Sequence, residues 1–107
     1  MKIQMKDNTF DALNAKAEEA SALLNAMANG KRLMVLCSLL EGEKSVGQLA
    51  TIVGLSQAAL SQHLSKMRSL RLVDTRRDAQ TIYYRLTSYE AEKVLETLYS
   101  LYCAPKA

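Results

Sequence analysis

Tryptophan is absent from this chain, and its 107 residues include one phenylalanine, one proline and one histidine. The proline, Pro105, stands near the C-terminus, so no proline interrupts a helix before it. Cysteine is scarce too. Cys37 and Cys103 lie far apart in sequence, which excludes a CxxC redox motif and a zinc-knuckle spacing. No run of about 18 apolar residues occurs, so no membrane-spanning helix is expected. Met1–Phe10 alternates charge and polarity without an apolar core, unlike a secretory signal. These absences point to a cytoplasmic protein whose two thiols stay reduced. What is present is ordinary for a globular chain: 49% hydrophobic residues and a length that suits one domain over residues 1–107. A core this size is thin, and burial against a second copy would thicken it.

The formal charge of +3 excludes little, but its distribution is uneven. Between Lys66 and Arg85 stand six basic residues (Lys66, Arg68, Arg71, Arg76, Arg77, Arg85) and two acidic ones, Asp74 and Asp78. The rest of the chain holds eight basic and nine acidic residues. All the excess positive charge therefore sits in one short region. That suits a surface facing phosphates, although a solvated basic face has the same composition.

Leu13, Ala17, Ala20, Leu24 and Met27 recur at helical spacing and predict one first helix with a single apolar seam. Asn29-Gly30 is expected to end it, since both residues tolerate a left-handed cap. A second helix follows over Lys31–Glu41, with Leu33, Met34, Leu36, Cys37 and Leu40 inward and Gly42 closing it. Ser45 and Gln48 have capping-box spacing before a short third helix carrying Val46, Leu49, Ala50 and Val53. Gly54 permits a sharp turn, Leu55 plugs the core and Ser56 caps a fourth helix whose inner stripe is Leu60, Leu64 and Met67. Short helix, glycine turn and capped helix together have the form of a helix-turn-helix.

From Leu72 the period changes to two. Val73–Arg76 and Thr81–Leu86 read as strands, with Arg77–Gln80 as the tip of a basic hairpin, a wing. Ser88 caps a last helix whose broad face holds Ala91, Val94, Leu95, Leu98, Leu101 and Tyr102. The expected fold is mainly α with a two-stranded β wing, in the order ααααββα. It forms a homodimer through the first and last helices.

Projected at about 100° per residue, the fourth helix turns Gln57, Ala58, Ser61, Gln62, Ser65 and Ser69 outward, with Lys66 at one border. Glutamine bonds adenine edges, serine donates or accepts at base or phosphate, and an alanine methyl meets thymine. A merely solvating face would carry glutamate–lysine pairs, and this one has no glutamate. Gln57, Ala58, Ser61 and Gln62 are therefore candidate readers of duplex DNA, and Ser56 at the cap is a further DNA-binding candidate. Arg68 and, in the wing, Arg76 and Arg77 are phosphate candidates, Lys66 and Gln80 are further DNA-binding candidates, and an arginine at the wing tip has the option of a narrow minor groove. Arg71 is a further phosphate candidate. His63 projects near the apolar flank and is either a half-buried structural residue or a phosphate contact. Arg85 lies past the tip and has the option of an acidic neighbour.

Ala28-Asn29-Gly30-Lys31-Arg32-Leu33, Leu55-Ser-Gln-Ala-Ala-Leu-Ser-Gln-His-Leu64 and Thr75–Tyr84 closely resemble the ArsR/SmtB family, and the likeness covers nearly the whole chain. That resemblance implies a homodimeric winged helix-turn-helix repressor of an imperfect inverted repeat, with an effector that lowers DNA affinity. Its effector sites vary. The arsenic-type pattern needs a cysteine pair in the short third helix, and Ser45–Val53 has none. The zinc-type pattern needs histidines and carboxylates on the last helix, and Ser88–Cys103 has neither histidine nor aspartate. No metal site, cofactor or enzymatic activity is expected.

Cys37 and Cys103 resemble in placement the dithiol subgroup of BigR, SqrR and HlyU-like regulators. The resemblance implies that a bridge between them, formed by reactive sulfur species or oxidants, weakens operator binding. Leu55–Tyr84 resembles NolR-type regulators as well, in which that dithiol is absent. Other readings stay open: Cys37 as a small core hydrophobe in a regulator without cysteine sensing, or a metal-responsive repressor using a cysteine with Glu96. A thiol-disulfide enzyme is disfavoured for want of CxxC and a βαβ pattern. An architectural protein binding by charge alone is disfavoured by the uncharged reading face.

Overall fold

The computed structural model describes residues 7–103 and Pro105. Among the described residues six helices and three strands follow one another: α1 (Asp7–Ala15), α2 (Ala17–Met27), α3 (Gly30–Leu39), β1 (Lys44–Ser45), α4 (Val46–Val53), α5 (Gln57–Ser69), β2 (Val73–Asp78), β3 (Thr81–Leu86) and α6 (Tyr89–Tyr102). The strands form one antiparallel sheet in the order β1-β3-β2.

The strand β1 and the extension of β2 to Asp78 were not expected from the sequence, and two helix boundaries also differ from that reading. The expected first helix is broken at Lys16, whose φ of −107° and ψ of 6° leave the helical region. Its N–H donates to the Leu13 carbonyl at 3.0 Å, a tight turn that the apolar period crosses without a mark. Asn29-Gly30 is also not a left-handed cap. Asn29 is extended and opens α3, its Oδ1 accepting from the Lys31 and Arg32 N–H groups at 3.0 and 3.1 Å. A side chain able to satisfy two orphan amides serves a helix start better than an end.

The core lies where α3, α4, α5 and the root of the hairpin meet α2 and α6. Leu36, Leu49, Leu60, Leu64, Met67 and Leu95 are its largest fully buried side chains. The inner stripe expected for α5 is thus the buried one. On α3 the buried apolar residues are Val35, Leu36 and Leu39, while Met34 is half exposed. Ser38 is buried without penalty because its hydroxyl donates to the Val35 carbonyl at 2.7 Å.

Candidate nucleic-acid interface

The helix-turn-helix is built by caps. Ser45 Oγ accepts from the Gln48 N–H at 3.1 Å, and Gln48 Oε1 accepts from the Ser45 N–H at 2.8 Å, a complete capping box for α4. Gly54 then takes φ 71°, which a side chain resists, and the Leu55 N–H reaches back to the Ala50 carbonyl at 3.1 Å. A contact without a local sequence signal finishes this corner. Lys31 Nζ donates to the Val53 carbonyl at 2.6 Å, placing an ammonium at the negative end of α4. Ser56 Oγ accepts from the Ala59 N–H at 3.1 Å and starts α5.

From that start α5 presents Gln57, Ala58, Ser61, Gln62, Ser65 and Lys66 to solvent, and Arg68 and Ser69 lie exposed in its last turn. No carboxylate interrupts this face. The hydroxyls are not equivalent. Ser61 Oγ donates to the Gln57 carbonyl at 2.8 Å, which leaves its lone pairs for an incoming donor. Ser56, whose oxygen already accepts, keeps its proton to donate. His63 is half-buried, on the border the projection gave it. The α5 C-terminus closes on Arg71 at φ 61°, with the Leu72 N–H donating to the Met67 carbonyl at 3.0 Å.

In the wing, β2 and β3 are in register from Val73↔Leu86 to Asp78↔Thr81, so the turn is only Ala79-Gln80, with Ala79 at φ 56°. Arg77 and Gln80 are exposed. Arg76, a phosphate candidate from the sequence, is paired with carboxylates in this DNA-free chain. Its Nε donates to Glu43 Oε1 and Oε2 at 3.2 and 3.1 Å, and its Nη2 donates to Oε1 at 2.6 Å. The guanidinium lies 4.7 Å from the centre of the Tyr83 ring, and Asp78 is 4.0 Å from Nη1. This pairing holds the Glu43 carboxyl below its usual range and raises Arg76. Arg85 takes its acidic option, with Asp74 at 3.8 Å.

Neither Cys37 nor Cys103 is in a disulfide; Cys37 is half-buried and Cys103 exposed. Burial, and secondarily the charge of a nearby Cys103 thiolate, push the Cys37 thiol above its ordinary value. Glu96, a carboxylate considered for a metal, is 3.2 Å from Lys93. Among the described residues no three His, Cys, Asp or Glu side chains gather as a metal site requires. Likewise, no helix there is long and apolar enough to cross a membrane.

Residues 29–75 match the family model described as bacterial regulatory protein, arsR family. The nodulation protein NolR of Rhizobium meliloti is 58% identical over 86 residues, covering 80% of this chain and 70% of that protein. The structure of reduced HlyU from Vibrio cholerae is 47% identical, with a TM-score of 0.82 over 87% of this chain and 98% of its own. For the transcriptional repressor BigR from Xylella fastidiosa the identity is 39% and the TM-score 0.85, over 91% and 99%. A homodimeric winged helix-turn-helix DNA-binding domain from Mycobacterium bovis is more distant. It is 26% identical, with a TM-score of 0.73 over 94% of this chain and 89% of that one.

Proposed function

Because the chain belongs to the ArsR family and is a DNA-binding transcriptional regulator, we propose that it acts as a homodimeric repressor released from its operator when Cys37 and Cys103 become bridged. The observation that carries the operator-binding part is the exposed, carboxylate-free polar face of α5, set on a capped helix beside the wing. Gln57, Ala58, Ser61 and Gln62 read base edges, while Ser56, Lys66, Arg68, Arg77 and Gln80 hold the backbone. His63 steadies the flank of α5 or touches a phosphate. A homodimer places two such faces on an imperfect inverted repeat about one helical turn apart.

Exposed apolar residues on the outer helices support the dimer. Phe10 and Leu13 of α1, Leu24 of α2, and Tyr99, Leu101 and Tyr102 of α6 all stand in solvent in the single chain, Tyr102 at 82% exposure. Full burial of an exposed leucine or phenylalanine contributes about 1.5–3 kcal/mol, so covering these partly exposed side chains favours association. The homodimeric M. bovis neighbour agrees with this reading.

The sensing part rests on two free thiols, Cys37 half-buried on α3 and Cys103 exposed at the end of α6, and a relative described in a reduced state is consistent with it. Cys103, exposed, reacts first. Its thiolate takes the outer sulfur of an organic persulfide, releasing the organic thiol and leaving a Cys103 persulfide. The Cys37 thiolate then attacks the inner sulfur, expels hydrosulfide and closes a disulfide. Where both cysteines carry a persulfide, loss of one molecule of hydrogen sulfide leaves a trisulfide. A disulfide oxidant gives the direct bridge and is itself reduced to two thiols. Any of these links ties the end of α6 to α3, which bears the Lys31 contact to α4, and so favours a different dimer geometry.

Intact-mass measurement with operator titration tests this reading. Persulfide treatment should remove both free thiols and weaken operator binding. Cys37→Ser should bind the operator like the parent and no longer respond. A Cys37→Ser variant that still releases DNA overturns the dithiol mechanism and leaves a regulator without cysteine sensing, with Cys37 in the core.

A further inference from the structure

We infer that Glu43 is a positioning residue of the DNA interface, and that Arg76 is its partner in a strut between the wing and the helix-turn-helix and not a phosphate ligand. The inference rests on the operator-binding reading above. It begins from the sheet. Arg76 on β2 stands opposite Tyr83 on β3, and Tyr83 stands opposite Ser45 on β1. Ser45 is also the cap of α4. Glu43 precedes β1 by one residue. The bidentate bond from Arg76 to Glu43 therefore spans the sheet from its outer strand to the entry of the helix-turn-helix. Tyr83 lies beneath the guanidinium at 4.7 Å. The strut thus fixes one distance on which DNA binding depends, that between the wing tip and α5.

Charge on that face of the hairpin argues against a phosphate role for Arg76. Side chains alternate along a strand, so Asp74, Arg76 and Asp78 share one face of β2, with Tyr83 and Arg85 beside them on β3. Two arginines there meet three carboxylates: Glu43 and Asp78 on Arg76, and Asp74 on Arg85. All three guanidinium nitrogens of Arg76 lie within ion-pair distance of a carboxylate. A phosphate approaching it must displace Glu43 against the repulsion of Asp78, and it finds no net positive charge. Arg77 alternates to the opposite face. Among the described residues no carboxylate lies within ion-pair distance of it, so it releases counterions when a phosphate arrives.

The test titrates full-length protein against an inverted-repeat duplex that the parent selects from a random pool, at several salt concentrations. Glu43→Gln and Arg76→Gln should each weaken binding about two- to fivefold, with unchanged salt slope. The double variant should be no weaker than either single one, and the charge swap Glu43→Arg with Arg76→Glu should recover affinity. Arg77→Gln should lower the salt slope by about 1. The Arg76 Nε–H resonance, followed by NMR, should be protected in the free parent, unmoved by DNA and lost in Glu43→Gln. An Arg76→Gln variant with a slope lower by about 1, or a Glu43→Gln variant that binds tighter, makes Arg76 a phosphate ligand and Glu43 its competitor. Additive losses in the double variant overturn the strut as well. A parent that selects no duplex sinks the operator-binding reading, and the inference with it, without disturbing the free-state resonance.

Discussion

Cys37 and Cys103 show how far a residue's chemistry depends on where the fold leaves it. The half-buried Cys37 thiol is held above its ordinary value, first by burial and then by the Cys103 thiolate, while Cys103 lies open to solvent. Because the raised group keeps its proton longer, the alkylation rate of Cys37 should go on climbing at a pH where an unperturbed thiol has levelled off. Cys103→Ser should shift that profile part of the way down, since burial remains. Mass-resolved alkylation across pH reads both effects. A Cys37 profile identical to that of a free thiol, or one untouched by Cys103→Ser, would contradict the arrangement. Arg76, read from the sequence as a phosphate candidate, gives the opposite lesson, for a hint of its pairing was local. The alternation Asp74-x-Arg76-x-Asp78 places an arginine between two acids on one strand face. Glu43 was not legible. It is 33 residues away from Arg76 and stands in a short connection with no motif around it.

At the scale of elements, caps and turns were readable because they are local. Ser45 with Gln48, Gly54, Ser56 and Ser88 each act within three or four residues, and each makes the bond its type predicts. The break at Lys16 was hidden because the apolar seam runs through it. The strand β1 was hidden because two residues carry no period, and only pairing to β3 defines it. For α5, the uncharged outer face leads to a prediction about specificity. Gln57→Ala should cost about 1–3 kcal/mol against the preferred duplex and little against random DNA, so base preference relaxes. Competition binding with single-base variants measures it. An equal loss on all sequences would move Gln57 from reading to positioning.

At the scale of the molecule, the single chain is more extended than its length requires. Its radius of gyration is 16.0 Å, against about 13 Å for a compact domain of this size. The outer helices also expose residues that a monomer gains nothing by exposing. A charge in the α6 patch should therefore act far from DNA. Leu101→Asp should shift the protein towards monomer in sedimentation and weaken operator binding at least tenfold, while circular dichroism keeps its helical signal. A variant that stays dimeric, or a monomer that binds as tightly as the parent, would remove the outer helices from the interface.

By itself the sequence determined the helix-turn-helix, its caps, its inner stripe, the wing and the uncharged reading face. All of these rest on periods and bonds that span a few residues. Only the tertiary structure decided that Arg76 and Arg85 are paired with carboxylates, that Lys31 closes α4, and that Glu43 meets the wing. The contacts of Lys31 and Glu43 join groups separated by 22 and 33 residues. Charge neutralisation and electrostatic range depend on distance in space, and the fold alone sets that distance.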